Sequence, residues 1–385
     1  MSQGDFHSLV NRILGQYDQL VKENNELKAQ IASLQAQLAS QTPKIVIPEK
    51  SSTPVKKGSI PFWQSKSKIT VDWKPVPIDF SDSVLCSHYS TDEIIAFGTV
   101  DASIHLFSPQ NMTSLGSVVG HKGAINCIVS DPSTKLFASC SGDHTINIWS
   151  NKLVDSHFPT SRRSSFETDK FTASTVLSHH TGPVHSATWI LGDGRLVTGS
   201  SDNKICFWDV THSTTITRFE DVKSSVLCLD TAPDGLSISF SAGLSSGSVY
   251  FFDHRTGSGP ALTLLHCKGQ CVGTKFVKDD STQVISAGTD SKVKQWDIRT
   301  LSEPIQVIEV DHVPTKIDIK NQFLVCPCET GKIRLINLKS GSVTLFEQAP
   351  FSYTISSASF LSEDASSMVV TSWDGSASIA RFSLP

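Results

Sequence analysis

The stretch SGDHTINIW, Ser141 to Trp149, sets a serine, an aspartate and a histidine within four residues, and a second histidine, His121, stands upstream in GHKGAINC. These are the groups of acyl transfer: a hydroxyl attacks, an imidazole takes its proton, and a carboxylate orients the imidazole. The same groups also make a hydrogen-bonded fastening, because a carboxylate accepts what an imidazole, a hydroxyl and an indole N–H donate. Recurrence separates the two readings. A nucleophile is needed once, whereas a fastening is needed in every structural repeat.

The elements that must position these residues recur. A polar turn, an alternating strand and a closing aromatic return as VDASIHLFS, GDHTINIWS, SDNKICFWD, SSGSVYFFD, TDSKVKQWD, ETGKIRLIN and WDGSASIAR. The closing position falls at Phe107, Trp149, Trp208, Phe252, Trp296, Ile336 and Ala380, at intervals of 42, 59, 44, 44, 40 and 44 residues. That period is one four-stranded propeller blade, so seven copies predict a seven-bladed, all-β propeller. An aspartate stands six residues before the closing position at Asp101, Asp143, Asp202, Asp290 and Asp374.

These repeats resemble the WD-repeat family over residues 69 to 385. Gly120-His121 and, more weakly, His179-His180 stand at the GH motif, and Trp208-Asp209 and Trp296-Asp297 at the WD motif. The resemblance implies buried networks of histidine, strand serine or threonine, turn aspartate and tryptophan. Two sets are complete, His121, Ser139, Asp143, Trp149 and His180, Thr198, Asp202, Trp208. A third, Ser286, Asp290, Trp296, has Cys267 or one of its neighbours at the histidine position. Asp101 and Asp374 are expected as blade-turn aspartates. A buried carboxylate is costly unless donors surround it, so linking these groups rigidifies a blade. On this reading there is no catalytic residue.

Domain organisation follows from shifts in texture. Residues 1–40 are expected to form a coiled-coil helix, with Val10, Tyr17, Asn24, Ile31 and Leu38 at heptad position a and Phe6, Ile13, Leu20, Leu27 and Leu34 at d. A polar Asn24 in that seam specifies register and favours a homodimer, or a coiled-coil heterodimer, through residues 6–38. Residues 41–66 read as a tether rich in Ser, Thr, Pro and Lys. Thr42 and Thr53 each precede proline, and Ser165 follows Arg162 and Arg163, so all three match kinase patterns. The propeller is expected over 67–385, with residues 67–76 supplying the outer strand of blade seven and an insertion over 151–173 in blade two. The strand directions put that insertion and the tether on one side of the disc, as a composite partner-binding side.

A net charge of -4 gives no basic field, so nucleic acid and anionic membrane are not expected partners. No apolar run approaches the length of a membrane span. Nine scattered cysteines read as reduced thiols of a cytoplasmic or nuclear protein. The CPC at Cys326 to Cys328, and Cys267 with Cys271, lack a second ligand pair, so neither metal nor cofactor is expected.

The function expected is a non-catalytic scaffold or adaptor for protein partners. The competing readings are an enzyme of propeller architecture, or a substrate-recognition subunit of a larger complex such as a ubiquitin ligase. Within the family, the order of coiled coil, linker and propeller, with YDQLVKENNELKAQI and DSKVKQWDIRTLSEPIQVI among the matching stretches, resembles the WD-repeat protein thirty-seven group. That resemblance implies an acidic-cluster sorting adaptor as partner and a role in organelle calcium homeostasis.

Overall fold

In the computed structural model the chain divides into two units, 1–57 and 58–385. The structure describes Lys22 and residues 68–384, apart from 91–92, 132–135, 151–172, 191–193, 234–237, 257–258, 279–281 and 347–348. The expected coiled-coil seam with Asn24, the tether with Thr42 and Thr53, and the insertion with Ser165 lie outside the described residues. Among the described residues no helix is long and apolar enough to cross a membrane.

Seven sheets, each with a core of four antiparallel strands, follow one another in sequence, each ordered from the channel outward. The innermost strands are Val84–Tyr89, Ile125–Ser130, Val184–Ile190, Val226–Thr231, Cys271–Phe276, Asp318–Lys320 and Ile355–Phe360. The third strands carry the closing positions read from the sequence: Ser103–Ser108, Ile146–Ser150, Ile205–Asp209, Ser248–Phe252, Lys292–Asp297, Ile333–Asn337 and Ala377–Phe382. No blade can bury both faces alone, and the core is accordingly seven seams, each formed between two neighbouring blades.

The ring closes through the N-terminal side of the propeller. Val71–Pro75 pairs antiparallel with Ala377–Phe382, setting Val71 against Phe382 and Pro75 against Ser378. The expectation that 67–76 forms one outer strand needs a correction. Lys68 and Ile69 pair parallel with Leu345 and Phe346, extending blade six to five strands. The chain steps from one blade to the next because Ile69 is apolar and buries in the seam between blades six and seven. Trp73 packs edge-on against Phe351, with ring centroids 5.8 Å apart.

The turn between second and third strands repeats in conformation as well as in sequence. Ala102, His144, Asn203, Gly247, Ser291, Gly331 and Gly375, one per blade, all have positive φ, between 57° and 80°. His144 of the opening motif is thus a left-handed turn residue. Since a β-carbon is disfavoured there, His144→Gly should stabilise the protein by about 0.5–1 kcal/mol, read as a raised urea midpoint at unchanged slope.

Candidate functional site

The triad-like residues meet in space. Ser139 Oγ lies 2.7 Å from His121 Nε2, and His121 Nδ1 lies 3.0 Å from Asp143 Oδ2. This is the connectivity of a hydrolytic relay, but Ser139 is fully buried and accepts the Trp149 indole N–H at 2.9 Å. Asp143 further accepts Lys122 N at 2.7 Å, Thr145 N at 2.9 Å and Thr145 Oγ1 at 2.6 Å. Burial acts to raise the Asp143 carboxyl, but the donors of Thr145 and Lys122, with His121, outweigh it and hold it at about 2. A β-carbon on Gly120 would stand 2.8 Å from the Trp149 ring, so a glycine before His121 lets the indole close over the network.

Blade three repeats the arrangement. His180 Nδ1 is 2.9 Å from Asp202, its Nε2 is 2.9 Å from Thr198 Oγ1, and Trp208 donates to Thr198 at 2.8 Å. His179 replaces the glycine and packs its ring on Trp208 with centroids 5.4 Å apart.

In blade five the histidine position, expected at Cys267 or a neighbour, is held by the neighbour His266. Its Nδ1 lies 2.6 Å from Ser286 Oγ and its Nε2 3.2 Å from Asp290, while Trp296 donates to Ser286 at 2.7 Å. His266 stands 20 residues before Ser286, where the equivalent separation is 18 in blades two and three. The ring accordingly presents its nitrogens in the opposite order. His266, Cys267 and Asp290 bring three donor atoms within 4.8 Å of one another, a grouping able to hold a metal ion. Both imidazole nitrogens are committed, and the Lys294 ammonium stands 3.3 Å from Asp290, which disfavours a second cation there.

The remaining blades substitute other fastenings. Asp101 accepts Ser81 Oγ and Thr99 Oγ1, each at 2.5 Å, and Ser103 N at 3.1 Å, with no histidine among these donors. Asp374 closes only its own turn, accepting Ser376 N at 3.0 Å. Blade six places Arg334, buried, in an ion pair with Asp311, with its Nη1 3.0 Å from Cys328 Sγ. Blade four spells GxSxG at Gly243 to Gly247, but this stretch joins two strands of a hairpin, not a strand to a helix.

The central channel is a cavity of about 720 Å³. In six innermost strands a bulge follows the first residue, and the residue after it lines the channel: Cys86, Cys127, Ser186, Cys228, Gly273 and Ser357. Because these are small, Lys316 of blade six extends across the opening. Its Nζ donates to Asn126 O at 2.8 Å and Leu85 O at 3.4 Å, tying blade six to blades one and two. Nearby, Asp230 holds Lys275 at 3.0 Å and accepts Phe276 N, and Asp318 accepts Phe360 N. Burial opposes charge on Lys275, yet Asp230 and Asp318 raise its pKa. The channel's carboxylates are thereby committed to joining neighbouring blades.

Two imidazoles make stability depend on pH. Burial, reinforced by Lys294, lowers His266 to about 4; burial, reinforced by Lys275, lowers His88 on the channel wall to about 4. Their ordinary value is 6.5, so as pH falls below it the unfolded chain takes up protons that the folded chain refuses. Stability should therefore fall between pH 6.5 and 4, by about 3 kcal/mol from His266 alone. His266→Gln should flatten that part of a curve of melting temperature against pH. Asp143 adds a second loss between 3.8 and about 2, as its own carboxyl protonates.

The two complete networks coincide with an outside match. The family described as WD domain, G-beta repeat matches residues 112–150 and 171–209, each a stretch from the outer strand of one blade through the third strand of the next, blades two and three. Two of the seven blades thus carry matched WD40 repeats. Proteins similar to the chain include WD repeat-containing protein 37 of Xenopus laevis, 23% identical over 272 residues, covering 64% of this chain and 54% of the relative. Pre-mRNA-processing factor 19 of Oryza sativa is 26% identical over 215 residues, covering 55% and 37%. The ribosome biogenesis protein WDR12 homolog of Aedes aegypti is 26% identical over 235 residues, covering 59% and 52%. The chain thus spans about half the length of the protein 37 relatives it matches.

Proposed function

We propose that this WD40-repeat propeller is a non-catalytic scaffold, oligomerised through residues 6–38, that brings protein partners together. The observation that carries this reading is the burial of Ser139, Thr198 and Ser286 within their networks. The three relay-like sets hold blades rigid, and a rigid disc presents its turns to partners. Avidity from a coiled-coil dimer would multiply weak contacts made by each disc. Likeness to WD repeat-containing protein 37 supports an acidic-cluster sorting adaptor as the first partner to seek, in the cytoplasm or nucleus, and organelle calcium homeostasis as the process.

Affinity purification of the full chain beside one lacking residues 1–40, with masses of the recovered complexes, tests the proposal. The full chain should run at twice 41.8 kDa or more and recover partners that the shortened chain loses or holds weakly. A monomeric full chain recovering no partner would overturn it.

A further inference from the structure

We infer that the turn face spanning blades six, seven and one docks a basic peptide segment, an inference that rests on the scaffold reading and names one of its surfaces. In each blade one residue precedes the turn aspartate or its equivalent. In blades two to five this residue is Gly142, Ser201, Ser245 or Thr289, whereas blades six, seven and one carry Glu329, Trp373 and Val100. Trp373 is 56% exposed, Val100 39%, and Tyr353 of the neighbouring turn 66%.

These side chains project from pinned backbone. Thr354 Oγ1 donates to Glu329 O at 3.1 Å, Trp373 N to Thr354 O at 3.0 Å, Ser83 Oγ to Trp373 O at 2.6 Å and Val100 N to Ser83 O at 3.1 Å. The five turns therefore form one continuous strip, and its large apolar groups contribute little to the fold while they face water.

Charge specifies the occupant. Asp82, Asp101, Glu329 and Asp374 are all exposed along this strip. Among the described residues of its turns the one lysine or arginine, Lys332, faces Asp311 at 3.9 Å. The same face carries Lys122, Lys223 and Lys268, all exposed, on the turns of blades two, four and five. An arginine or lysine of a partner finds aromatic faces for a cation–π contact and carboxylates beside them. An acidic segment or a phosphate backbone meets repulsion on this arc.

Fluorescence anisotropy of the full chain with a fluorescein-labelled peptide of alternating arginine and glycine provides the test, with the aspartate–glycine peptide as control. The arginine peptide should bind and the aspartate peptide should not. Combined Trp373→Ala and Tyr353→Ala should weaken binding by about tenfold or more, at an unchanged melting temperature. Asp82→Lys should weaken it similarly, whereas Asp72→Lys, the same change in charge on the outer strand of blade seven, should leave it within about twofold. Equal binding by the Asp82 and Asp72 variants, insensitivity to loss of both aromatics, or no binding of the arginine peptide would overturn the inference. If partners are still recovered in affinity purification, that failure leaves the scaffold reading standing.

Discussion

Asp143→Ala lowers the stability of the propeller by about 3 kcal/mol, seen as a shift in urea midpoint with little change in slope. The carboxylate accepts from His121, Lys122 and Thr145, and its side chain is only 12% exposed. Removing it leaves the imidazole and two backbone N–H groups without their acceptor, and each such loss costs about 1–3 kcal/mol when water cannot replace it. The companion substitution Asp374→Ala should cost under about 1 kcal/mol, because Asp374 is exposed and bonds only within its own turn. Equal losses at the two positions would mean that the turn, not the buried network, carries the effect.

Removal of the closing strand should do more. A chain beginning at residue 77 loses Val71–Pro75, so Ala377–Phe382 becomes an open edge. It also uncovers apolar surface where Ile69 and Trp73 pack on the seam between blades six and seven. An exposed apolar edge strand invites pairing with other chains, so this shortened protein should aggregate and lose its cooperative melt. A chain beginning at residue 67 keeps the strand and should melt as the full chain does. Size-exclusion chromatography with thermal scanning of the two distinguishes them. A soluble, cooperative protein from residue 77 would show that closure does not hold the ring.

The fold was legible because blade repetition is written in residues that point inward. Third-strand positions Trp149, Trp208 and Trp296 must bury an indole and satisfy its N–H, so type and spacing recur together. His266 was legible only as Cys267 or one of its neighbours, because two extra residues separate it from Ser286, and the ring restores the network by presenting its nitrogens in reverse. Blade six was illegible for a different reason. Arg334 and Asp311 replace the network with an ion pair that has no histidine, hydroxyl or indole, and its aspartate does not stand at the turn position six residues before Ile336. The step of Lys68 and Ile69 onto blade six left no pattern either, since two residues are too few to show alternation. The channel ring escaped notice because cysteine, serine and glycine in alternating strands read as ordinary small residues; only the bulges turn them inward past Lys316.

The central claim is that three relay-like networks are fastenings and not nucleophiles. Labelling of the native protein with a fluorophosphonate, quantified at Ser139 and Ser286 by mass spectrometry, tests it most directly. A buried hydroxyl held by an indole and an imidazole should stay unmodified in the folded protein. Stoichiometric labelling of either serine in the native state would contradict the account and return the opening motif to catalysis.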